Sequence, residues 1–92
     1  MLNSKFAPNG MVVAPHHLAA EAGLSVLREG GNALEAMIAA AAAIAVVYPH
    51  MNSIGGDGFW LISPANGDPV AIDACGAAGS GATIARYTEE GL

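Results

Sequence analysis

The side chains of this chain that could do chemistry are a single cysteine, three histidines and a few carboxylates. Cys75 stands in the run Asp73-Ala74-Cys75-Gly76. A thiol becomes a nucleophile where a cation, a histidine or a helix N-terminus lowers its pKa, and no basic residue or histidine lies close to Cys75 in sequence. It reads better as a small hydrophobe than as a nucleophile. One cysteine also excludes an internal disulfide and any CxxC motif. His16, His17 and His50, with Glu21 four residues beyond His17, follow neither an HExxH pattern nor a Cys/His ligand spacing. They read as capping or surface histidines, and no metal site is expected. Asp57 and Asp73 do not suggest an acid pair, because carboxylates at strand ends usually accept from backbone amides. Gly55, Gly56 and Gly58 resemble a phosphate loop, but such a loop needs a helix N-terminus behind it and usually a Lys-Ser/Thr. A strand follows instead. The cluster reads as a tight strand entry using backbone conformations closed to other residues, and no cofactor is expected.

The elements that position these residues follow from periodicity and punctuation. Phe59-Trp60-Leu61-Ile62 has the aromatic and β-branched content of a buried strand, residues 64–68 carry a turn signal, and residues 69–73 read as the returning strand. The hairpin delivers residues 73–76 to a sheet end, where functional loops tend to lie. Upstream, residues 1–10 read as an extended arm ending in the Pro8-Asn9-Gly10 turn, and residues 11–92 as one fold segment beginning with a short strand at 11–14. From 17 to 29 the period is helical, with Glu21, Ser25 and Arg28 forming a narrow stripe toward water. Gly30-Gly31 supplies a left-handed stop, and Asn32 with Glu35 makes a capping box for a second helix reaching about residue 48. So short a link requires an antiparallel helical hairpin. The second helix has no polar residue after Glu35, so it should be covered on every side. Pro49 stops it. Residues 76–82 read as a small, flexible link, residues 83–90 as a further helix, and residues 87–92 as a helix that breaks off.

Composition limits the partners. Of 92 residues, 53% are hydrophobic and 12% charged, with mean hydropathy +0.44, too apolar for a comfortable small soluble monomer. The chain reads as a piece of something larger. A formal charge of −5 with only 3 basic residues excludes the Lys/Arg clusters that nucleic acid requires. The apolar run 36–48 is too short and alanine-rich for a membrane span, and the N-terminus lacks the apolar core of a secretory signal. A cytoplasmic location is the default expectation.

The order HHLAAEAGLSVLREGGNALEAMIAAAAAIAVVYPHMNSIGGDGFWLI, followed by PVAIDACGAA, resembles the start of the large subunit of the γ-glutamyltranspeptidase family. The likeness covers roughly residues 10–83, with its glycine, Asn-Ala and Pro-His features in order. It implies an α/β fold, the N-terminal part of the four-layer αββα sandwich of N-terminal nucleophile hydrolases, to which this chain gives a helical hairpin and sheet strands. It also implies a precursor that cuts itself into large and small subunits, exposing an N-terminal threonine that is nucleophile and, through its amine, base. Neither Thr83 nor Thr88 matches that position, so no catalytic residue is expected in this chain. Its partners would be a small-molecule amide substrate, the rest of the large subunit and the small subunit, with further oligomerisation open.

In the γ-glutamyl enzymes of the family the strand end reads Asp, small residue, Arg, Glu, and the arginine clamps the substrate carboxylate. Here Asp73, Ala74, Cys75 and Gly76 hold those places, so the resemblance makes Asp73, Ala74 and Cys75 the substrate-binding segment, with Gly55, Gly56 and Gly58 a structural loop near it. Loss of a bidentate, charge-assisted pair costs about ten- to a hundredfold in affinity. The details DGFWLI, AIDA and GAAGS are most similar to the oxamate amidohydrolase branch, which implies hydrolysis of a small amide in purine-nitrogen salvage. A γ-glutamyltransferase or glutathione hydrolase with its clamp elsewhere is the neighbouring reading. A non-catalytic module whose apolar helix docks a protein partner is the reading from another class.

Overall fold

The computed structural model describes residues 3–92, which fall into two compact units, one up to Gly55 and the other from Gly56 to Leu92. The first is a helical hairpin, α1 (His17–Arg28) and α2 (Ala33–Val47). Helix α1 starts at His16, an extended N-cap whose Nδ1 accepts from the Leu18 N–H at 3.1 Å. It closes by a Schellman motif: the Gly30 N–H donates to the Leu27 carbonyl at 3.1 Å and the Gly31 N–H to the Val26 carbonyl at 2.9 Å. Gly30 takes a φ of 93°, in the left-handed region that glycine enters without strain. Helix α2 opens one residue later on the expected capping box, with Asn32 Oδ1 accepting from the Glu35 N–H at 2.8 Å and Glu35 Oε1 from the Asn32 N–H at 3.3 Å. The helices run antiparallel. Their far ends meet where the Tyr48 ring lies 6.4 Å from that of His16 and 4.2 Å, edge-on, from that of His50.

The core of this unit is made of small residues. Ala19 and Gly23 on α1 and Ala36 and Ala40 on α2 are its buried positions. A Cβ at position 23 would stand 2.8 Å from Val12 Cγ1 and 3.0 Å from the Ala36 carbonyl oxygen, so the backbones approach as closely as glycine permits. Several expectations change here. Residues 11–14 are not a strand, because a strand exists by pairing and the described chain offers this segment no ladder; Val12 packs on Gly23 instead. The exposed stripe of α1 is wider than expected, taking in His17 and Leu18. Within this chain Leu34, Met37, Ile38 and Val46 of helix α2 face outward, Val46 with 76% of its surface exposed, as expected of a piece of something larger.

The second unit contains β1 (Phe59–Ile62), β2 (Val70–Asp73) and α3 (Ile84–Glu89). The strands pair antiparallel, Phe59 opposite Asp73, Trp60 opposite Ile72, Leu61 opposite Ala71 and Ile62 opposite Val70. Trp60 and Ile62 are half-buried while Phe59 and Leu61 are exposed, so within this chain β1 is covered on one face at most. Residues 79–82 form a turn, with the Ala82 N–H on the Gly79 carbonyl at 2.9 Å. Thr83 caps α3 by accepting from the Arg86 N–H at 3.2 Å. Helix α3 is closed rather than broken off: Gly91, at φ 76°, and Leu92 donate to the Thr88 and Tyr87 carbonyls, a second Schellman motif.

Candidate functional site

The end of β2 brings together Asp73, Ala74 and Cys75 with one glycine of the cluster, Gly58. The ladder runs one bond beyond the strands, the Ala74 N–H donating to the Gly58 carbonyl at 2.9 Å. That bond brings Gly58, from the glycine cluster, against the 73–75 segment. Asp73 then folds its carboxylate forward, Oδ1 accepting from the Cys75 N–H at 3.1 Å, an Asx-type bond to the backbone two residues on. The Cys75 thiol, half-buried, lies with Sγ 4.0 Å from the same Gly58 carbonyl. Gly76, at φ 75°, turns the chain away through a conformation a side chain would strain.

Electrostatics follow from this geometry. The Asp73 carboxyl is held below its usual range, first by the Cys75 thiol and then by the Cys75 backbone N–H, both of which favour the anion. The thiol is pushed up, chiefly by the neighbouring Asp73 and further by partial burial. At neutral pH the pair is therefore a carboxylate beside a neutral thiol, the reverse of what a nucleophilic cysteine needs. The turn can offer hydrogen bonds. It has no cation with which to clamp a carboxylate.

The other glycines do less than their clustering suggests. Only Gly56, at φ 102°, uses the left-handed region; Gly55 and Gly58 do not, and a Cβ at either would meet open space in this chain. The Gly55 carbonyl accepts from the Ser53 hydroxyl. The histidines belong to the helical hairpin, where His16 caps α1 and stacks on His17 at 4.7 Å. Among the described residues no group of three or more His, Cys, Asp or Glu side chains is placed to hold a metal ion. Sequence reasoning missed a cavity of about 320 Å³ in the first unit, lined by Asn9, Gly10, Leu24, Leu27 and Arg28. Its signal in the sequence is weak, since apart from Arg28 only the Asn9-Gly10 turn marks it.

A family model described as gamma-glutamyltranspeptidase matches residues 19–92. The chain belongs to the γ-glutamyltranspeptidase family. It is 68% identical over 87 residues to the oxamate amidohydrolase proenzyme of Klebsiella pneumoniae, a match covering 95% of this chain and 16% of that protein. Over 84 residues it is 43% identical to a glutathione hydrolase proenzyme of a Pseudomonas species, covering 91% of this chain and 15% of that one. The chain therefore spans about 16% of the length of the curated relatives it matches. The crystal structure of Helicobacter pylori γ-glutamyltranspeptidase superposes with a TM-score of 0.80 at 44% identity, covering 88% of this chain and 23% of that one. The architecture is accordingly a segment of the N-terminal nucleophile hydrolase fold, as the sequence resemblance implied. No helix among the described residues is long and apolar enough to cross a membrane.

Proposed function

We propose that the chain is part of an amidohydrolase acting on a small, compact amide such as oxamate. The observation that carries this reading is the 68% identity to an oxamate amidohydrolase proenzyme; it is supported by a strand end with a neutral thiol at the place where the resemblance puts the arginine of the γ-glutamyl enzymes. In the proposed reaction an N-terminal threonine outside these residues attacks the amide carbon, its own amine taking the hydroxyl proton and passing it to the departing ammonia. Water then hydrolyses the resulting ester. This chain would contribute one wall of the pocket through Asp73, Ala74 and Cys75, braced by Gly58, and would pack against the remainder of the large subunit and the small subunit. An arm at residues 1–10, a cytoplasmic location and a place in purine-nitrogen salvage belong to the same proposal.

The test is a substrate comparison in the full-length, processed protein. Wild type should release ammonia from oxamate and process a γ-glutamyl anilide poorly, whereas Cys75→Arg should shift the ratio of the two activities about tenfold toward the anilide, with oxamate turnover falling through crowding. The gain stays below the full bidentate value because Gly76 leaves the new guanidinium without an acidic neighbour. The 43% identity to a glutathione hydrolase proenzyme supports the second reading, a glutathione hydrolase. Efficient γ-glutamyl turnover by the wild type, unchanged by Cys75→Arg, would favour it.

A further inference from the structure

We infer that Asp73 is a positioning residue: its carboxylate fixes the direction in which the 74–76 turn presents Cys75, and so sets the shape of the pocket wall without touching substrate. The inference rests on the amidohydrolase reading for its kinetic consequence, but not for its structural one.

Cys75 follows the last residue of β2 by two positions, so the ladder alone does not hold it. Three local bonds act there. The Ala74 N–H on the Gly58 carbonyl, at 2.9 Å, fixes the position of the turn but leaves the peptide after Ala74 free to rotate. The Cys75 N–H on Asp73 Oδ1, at 3.1 Å, removes that rotation. With the peptide held, Sγ falls 4.0 Å from the Gly58 carbonyl, and Gly76, at φ 75°, carries the chain away. Packing does not provide a substitute, since no residue of this unit is buried. A carboxylate committed to a backbone N–H is a poor ligand for a substrate group, because each new bond to Oδ1 competes with the one that orders the turn. The residue expected to bind substrate thus acts through its neighbour.

Asp73→Ala removes the acceptor, whereas Asp73→Asn keeps an oxygen in its place and loses the charge. In the processed full-length enzyme, Asp73→Ala should raise KM for oxamate about five- to tenfold with less than a twofold change in kcat, and Asp73→Asn should restore KM to within about twofold of wild type. Iodoacetamide labelling of Cys75, followed by peptide mass spectrometry across pH, gives a readout independent of substrate. Wild-type labelling should turn on above the ordinary thiol pKa of about 8.5, and both variants should move that inflection down. Thermal melting identifies any variant that has simply unfolded, in which case Asp73→Asn alone decides. Because both variants remove the charge, position is read from the limiting labelling rate of the thiolate at high pH, which should change in Asp73→Ala and stay at the wild-type value in Asp73→Asn. If the wild type does not hydrolyse oxamate but the limiting rate follows this pattern, the positioning role stands and the substrate reading fails. A limiting rate in Asp73→Ala equal to that of wild type, or a loss in Asp73→Ala that falls on kcat and is not rescued by asparagine, overturns the positioning role.

Discussion

Every buried residue of the described chain lies in the helical hairpin, and the β-hairpin unit has none. The two units nevertheless carry similar kinds of apolar side chain. The helical unit gains its order from shape: Ala19, Gly23, Ala36 and Ala40 are buried, Gly23 comes so close to the Ala36 carbonyl that no side chain fits between, and each helix end in the link is closed by its own cap. The β unit relies on a ladder of four residue pairs, and a two-stranded hairpin is marginal in water. The order of the candidate site therefore comes from side-chain to backbone bonds at the strand end. A scaffold specified by packing and a site specified by hydrogen bonds respond to different mutations.

The largest effect should come from breaking the helical contact. Gly23→Val would drive a branched side chain into Val12 and the Ala36 carbonyl, and should cost about 2–3 kcal/mol in denaturant unfolding of the full-length protein with KM unchanged. A KM shift as large as that from Asp73→Ala would show that the two units are not separately specified. Asn32→Ala removes the side chain that caps α2 and should cost about 1 kcal/mol, again without a change in KM. If activity fell while stability held, Asn32 would belong with the site residues. The smallest effect is expected at Arg86, whose Nε pairs with Glu90 Oε1 at 3.2 Å on the surface of α3, both side chains about half exposed. Arg86→Ala should cost only about 0.3 kcal/mol after solvent screening, a change visible only in a paired denaturation series.

The features legible in the sequence were those encoded within a few residues. Asn32 and Glu35 announce their capping box, Gly30-Gly31 the helix stop, and residues 64–68 the turn, because each signal and the group it satisfies are neighbours in the chain. The strand expected at 11–14 failed for the opposite reason: strand character depends on a partner that local sequence does not name. The Gly23 contact was missed although its signal was present, since Ala19 and Gly23, like Ala36 and Ala40, stand four apart on one helix face. What spacing alone omits is which faces meet. At the site, the inert reading of Cys75 agrees with its raised pKa, but its cause, the carboxylate of Asp73, came only with the direction of that side chain. That Cys75 stands in the place of an arginine is implied by the family resemblance alone and by nothing in the residue pattern itself.

The antiparallel arrangement of α1 and α2 also bears on how the protein is made. Their contacts join residues separated by one short link, so little loop entropy is lost in forming them, and such helical pairs assemble in microseconds to milliseconds. Synthesis adds roughly 5–20 residues per second. The hairpin is thus complete while the residues that follow it in the chain are still being added. From that moment Leu34, Met37, Ile38 and Val46 stand in water. The part of the chain that folds first is thus also the part whose exposed apolar side chains a chaperone would recognise soonest.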